Sequence, residues 1–190
     1  MAPMLDRRGA LVGLGGLAAL WATPVVAAAQ AAGQPVLAWT PKALTPDQAR
    51  TLAAACERII PATDTPGAIA AGVPQFIDRQ LAGWFEPLEA ERLRSGLVRL
   101  DAEARAKAGA PFAALPAARQ DALLREADAE GQAAAKQLKP HWFLSLREIT
   151  TVAYFTSEPG ATKALRYDPV PGDYRGCVPL KDIGRGWATT

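Results

Sequence analysis

TPDQARTLAAACERIIP, residues 45–61, decides the fold class. Thr45 is of the type that accepts a backbone N–H at a helix start, and Pro46 suits the first helical position because its missing N–H would have no partner there. Leu52, Ala55, Cys56 and Ile59 recur at the three- and four-residue spacing of one helical face, and Pro61 stops the run. An amphipathic helix of this kind must bury its apolar stripe against other elements.

The same period continues along the chain. VPQFIDRQLAGWF (73–85) places Val73, Phe76, Ile77, Leu81 and Trp84 on one side, and Glu86 to Lys107 places Leu93, Leu97 and Leu100 inside with the charges outside. AGAPFAAL breaks the pattern, Pro116 opens a further helix over ARQDALLREADAEGQAAAKQL, and Lys139-Pro140 begins the last long one, lined by Phe143, Leu146, Ile149, Thr150 and Ala153. Beyond Gly160 the prolines and glycines of DPVPGDYRGCVPL permit only short elements, and no segment alternates as a strand would. The expected fold is all-α: an irregular bundle of about five helices with an extended C-terminal tail.

Composition narrows the function. The chain has 190 residues, 49% hydrophobic and 21% charged, enough for one domain with a core. A net charge of +2 spread among acidic residues offers no basic stripe for nucleic acid. Cys56 and Cys177 form no CxxC pair, and His141 is the single histidine, so any metal site or catalytic triad would rest on that residue. Its setting, LKPHWFLSL at a helix start, favours capping or packing. Asp64 with Asp78, and Glu148 with Glu158, are acid/base pairs on paper only, while Arg147 and Glu148 suit ordinary exposed ion pairs.

Residues 1–29 read as an export signal: Asp6-Arg7-Arg8, an apolar stretch from Gly9, and the small cluster Ala27-Ala28-Ala29. Arg7 and Arg8 are the pair that a twin-arginine signal presents to its translocase, with Asp6 and Ala10 departing from the usual pattern. General secretion and a retained anchor are the alternatives. GLGGLA (13–18) matches a dinucleotide fingerprint only by accident, since it follows no strand. Residues 30–44 read as a linker or arm, and 45–190 as the helical domain. Outside the cytoplasm Cys56 and Cys177 could join the first helix to the tail, stabilising the fold by up to about 4 to 5 kcal/mol in the chain-entropy model. Two buried, unpaired thiols, or one thiol bonded to a partner chain, are the alternatives.

Two loops stand out. In ATDTPGAIAAGV (62–73) Thr63 and Asp64 can bond backbone amides, Pro66-Gly67 turns the chain, and the small residues that follow allow close backbone approach. In YFTSEPGATKALRY (154–167) aromatics stand beside residues that cap and turn, a combination that suits an interface.

IIPATDTPGAIAAGVPQFID (59–78), FLSLREITTVAYFTSEPGATKALRY (143–167) and VPGDYRGCVP (170–179), in this order behind a twin-arginine-like signal, resemble the gluconate 2-dehydrogenase subunit 3 family. The resemblance spans about Thr45 to Leu180 and is helical pattern alone over 86–139. It implies a non-catalytic small subunit of a periplasmic, inner-membrane-associated sugar or polyol dehydrogenase, with no cofactor of its own. In such complexes a glucose–methanol–choline (GMC) type flavoprotein holds FAD, a cytochrome c subunit carries haem c, and the small subunit escorts the flavoprotein through twin-arginine export. On that resemblance Asp64, Pro66, Gly67, Tyr154, Phe155, Ser157, Glu158, Tyr167 and Tyr174 are assigned to bracing and to the partner interface. A stand-alone enzyme using Glu158 or Asp64 as base, and a sugar-binding module using some of the five tryptophans, are the competing readings.

Overall fold

The computed structural model describes residues 37–167, 172 and 177–188. Arg7, Arg8 and Tyr174 therefore lie outside the described residues, as does the whole expected signal.

Helix α1 (Pro46–Ile59) starts as its sequence dictates. The Gln48 amide donates to Thr45 Oγ1 at 3.3 Å, and Gln48 Oε1 accepts the Thr45 amide at 2.9 Å, a reciprocal capping box. Ala49, Leu52, Ala55 and Cys56 are fully buried. This mostly small face lets α1 pack at once against four further helices: α2 (Val73–Gly83), α3 (Pro87–Ala108), α4 (Ala117–Lys136) and α5 (Trp142–Phe155). A 3₁₀ turn, Phe112–Ala114, links α3 to α4 and inserts Phe112 into the core. After α5 come a π-helical turn, Gly160–Ala164, and a short α6 (Leu180–Ile183). The described residues thus form the expected all-α bundle, and none of their helices is long and apolar enough to cross a membrane.

The core is a contiguous set of aliphatic side chains. Leu93, Leu97 and Leu100 fill it from α3, Ile77 and Leu81 from α2, and Leu146 from α5. Where α1 and α5 meet, the Cys56 thiol lies 3.5 Å from Thr150 Oγ1, so two buried polar groups satisfy each other. Both cysteines are free, Cys56 inside the core and Cys177 on the surface, so the expected Cys56–Cys177 bridge is not formed.

Residues 37–44, the described part of the expected arm, are held against the bundle. Leu44 is buried, Leu37, Trp39 and Ala43 pack on the core, and the Asp78 carboxylate gathers three consecutive amides. Lys42 N donates at 2.8 Å, Ala43 N at 3.0 Å and Leu44 N at 3.2 Å. Asp78 is itself buried on the inner face of α2, so this acceptor serves structure rather than acid/base chemistry. The tail is also tied back: Arg166 N donates to the Gly186 carbonyl and Ala188 N to the Arg166 carbonyl, both at 2.8 Å. The Arg166 guanidinium stacks 4.2 Å above the Trp187 ring.

Two measurements follow from this packing. Asp78→Ala leaves three amides without their acceptor and is expected to lower stability by about 3 kcal/mol in urea unfolding. Burial pushes the Cys56 thiol up to about 12, so alkylation of the native protein should label Cys177 alone, with Cys56 reacting only after unfolding. Two modified sites in the native state, or none, would contradict the arrangement.

Candidate functional site: the signature loop and the grooves around α5

Two of the segments singled out in the sequence meet in space. The Tyr154 hydroxyl donates to the Pro66 carbonyl at 2.7 Å and lies 3.3 Å from Thr65 Oγ1, joining the end of α5 to the loop between α1 and α2. Tyr154 is only 2% exposed. Its ring meets Phe155 edge-on at 5.3 Å.

The loop is braced from its other side by Glu57. One carboxylate oxygen accepts the Ala62 amide at 3.2 Å and the other the Ile69 amide at 2.9 Å, so a single side chain spans the loop. Gly67 sits inside that span, where a Cβ would come within 2.3 Å of Glu57 Oε1 and 2.6 Å of Ala62 N. Ile60 and Ala68 also pair across the loop through a 2.9 Å backbone bond. Sequence reasoning missed Glu57, yet a signal was present. A carboxylate in the last turn of a helix opposes the macrodipole, and its placement there is explained by the amides it binds beyond the helix end.

After α5 the chain turns in a space that admits only glycine. Ser157 Oγ donates to the Tyr154 carbonyl at 2.6 Å and accepts the Gly160 amide at 3.2 Å. A Cβ on Gly160 would lie 1.8 Å from the same Tyr154 carbonyl oxygen. TSEPG is therefore a turn built around one backbone carbonyl.

The assigned interface residues separate accordingly. Tyr154 and Gly67 are buried, and the half-buried Ser157 bonds the turn, so these three serve the bracing half of their assignment. Pro66 offers its carbonyl to Tyr154. Asp64, Phe155, Glu158 and Tyr167 are exposed. The paper acid/base pairs do not become sites: Asp64 is exposed and accepts the Thr63 hydroxyl at 2.9 Å, Asp78 holds the arm, and Glu148 and Glu158 are both solvated. Arg147 pairs with Asp128 on α4 rather than with its neighbour Glu148. Trp84, expected on the inner face of α2, follows the last helical residue and is 83% exposed.

His141 caps α5 through Nδ1, which accepts the Phe143 amide at 3.3 Å. Burial holds its pKa below the usual imidazole value, outweighing Glu130, whose carboxylate lies 3.9 Å from Nε2, and Arg99 acts in the same direction as burial. Among the described residues no group of three or more His, Cys, Asp or Glu side chains could hold a metal ion.

Two surface grooves flank α5. One, of about 340 Å³, is crossed by the Arg58–Asp121 ion pair, in which the guanidinium holds the carboxyl below its usual range. The other, of about 310 Å³, runs between the end of α2 and α5 and is lined by aromatic and aliphatic side chains and by polar ones, Glu89 and Glu148 among them.

The fold and these contacts define a small helical protein whose distinctive segments form a joint between a braced loop and a capped helix end. The chain belongs to the gluconate 2-dehydrogenase subunit 3 family, whose model matches residues 46–172. That span begins at the first residue of α1 and takes in both halves of the joint. No curated protein and no solved structure matches the chain.

Tyr154→Phe should cost about 1 to 2 kcal/mol by removing the bond to Pro66, and Gly160→Ala at least about 2 kcal/mol because backbone, not a flexible side chain, occupies the space. Equal stability of both variants and the parent in urea unfolding would contradict the joint. For His141, a folded-state pKa below the unfolded one means that the unfolded chain binds the proton first as pH falls. Stability should be complete above about pH 6.5 and decline as pH drops through that value toward the lower folded pKa. His141→Asn should flatten that slope, since no other histidine titrates there.

Proposed function

We propose that this chain is the non-catalytic small subunit of a periplasmic dehydrogenase complex associated with the inner membrane. A GMC-type flavoprotein subunit holding FAD oxidises the sugar or polyol, and a cytochrome c subunit takes the electrons through haem c. The small subunit stabilises the flavoprotein and escorts it, already folded, through the twin-arginine translocase. Family membership over residues 46–172 carries this reading, because the family is that of a dehydrogenase subunit. The joint supports it: Tyr154, Glu57 and Ser157 direct their polar atoms to the chain's own backbone, as a rigid adaptor requires. Arg7-Arg8 supports the route, since twin-arginine export accepts folded cargo.

The test is coexpression with the flavoprotein subunit of the complex, followed by an assay of dye reduction in the periplasmic fraction. With the native chain, flavoprotein and activity should both arrive there. With Arg7→Lys and Arg8→Lys combined, both should be retained in the cytoplasm. An active periplasmic flavoprotein in cells lacking this chain would reject the escort role.

A further inference from the structure

Exposed apolar side chains gather at the groove between α2 and α5. Phe85, Ile149, Val152 and the 83% exposed Trp84 line it together with Glu89 and Glu148. Leu88, next to Glu89, is 74% exposed, and Phe155 continues the α5 face one turn beyond Val152. Large apolar side chains gathered in this way mark a surface that another molecule covers.

Its charges point to the partner. On the α3–α4 side carboxylates are matched within the chain, as in Arg99 with Glu103 and Glu130, Lys107 with Glu126, and Arg147 with Asp128. Around the groove Glu86, Glu89 and Glu148 are exposed or half-exposed and take part in none of the ion pairs among the described residues. No arginine or lysine lines it. The surface thus combines apolar anchors with unanswered negative charge.

We propose that this groove is the docking surface for the flavoprotein subunit, and that the element seated there carries arginine or lysine beside aliphatic side chains. The inference rests on the subunit reading above. Trp84 supplies the kind of rigid aromatic anchor that dominates interface energetics, and the glutamates supply register and steering. A second copy of this chain fits poorly, because a two-fold contact would set the same carboxylates against one another without a cation. An anionic membrane surface is disfavoured by the same charge.

The experiment coexpresses the tagged full chain with the flavoprotein subunit, purifies the complex and measures its lifetime at low and high salt. The native chain is compared with Trp84→Ala, with Glu89→Lys and Glu148→Lys combined, and with Val98→Ala, an exposed α3 position outside the groove. The substituted side chains are exposed or half-exposed, so thermal melts of the variants should match the parent. Trp84→Ala is expected to shorten the lifetime about ten-fold or more. The charge-reversed variant should do likewise at low salt and lose most of the native salt dependence, while Val98→Ala behaves as the parent. If both groove variants hold the flavoprotein as the parent does, the docking surface lies elsewhere and the subunit reading survives. If the native chain holds no flavoprotein, both readings fall. If the groove variants abolish only self-association, or only binding of gluconate by the isolated chain, the occupant is a second copy or a sugar and the proposal is overturned.

Discussion

A single buried hydroxyl, that of Tyr154, connects the two halves of the molecule's most distinctive structure. It anchors the end of α5 to the Pro66 carbonyl, and the loop it reaches is held open to the right width by Glu57 from the end of α1. Removing a buried acceptor's partner costs more than an average hydrogen bond contributes, so this joint fixes the approach of α5 to α1 and α2. The α2–α5 groove lies on the same helix, α5, that this bond anchors.

That bracing explains why a loop rich in Thr, Asp, Pro and Gly need not be chemical. Gly67 and Gly160 occupy spaces where a Cβ would collide with Ala62 N or with the Tyr154 carbonyl, so their identity is a packing requirement. Asp78 is an acid/base candidate in the sequence and Glu57 is not singled out there, yet each accepts backbone amides across a chain crossing. Polar groups retained for satisfaction of the backbone are as demanding in geometry as those retained for catalysis.

Much of the fold was legible because α1, α3 and the inner face of α5 carry strong helical periodicity and recognisable stops. Thr45-Pro46 marked the start of α1 to the residue, whereas the start expected at Lys139-Pro140 falls at Trp142, since His141 supplies the cap. Periodicity failed at Trp84 because it cannot tell the last inward position from the first residue beyond the helix. The site was less legible. Spacing along the chain gives no distance between positions 66 and 154, so the sequence does not separate bracing from partner contact at Tyr154. The groove escaped for a related reason: Trp84 belongs to the α2 segment and Val152 to α5, and only tertiary packing makes them neighbours.

An internal scaffold at the signature joint and a partner at the α2–α5 groove make opposite demands on the two surfaces when the complex forms. Hydrogen exchange of the chain alone and in complex with the flavoprotein subunit tests this most directly. The account predicts that amides of residues 61–72 are equally protected in both states, and that residues 80–89 and 145–155 gain protection only in the complex. New protection confined to the 61–72 loop, with the groove unchanged, would contradict it.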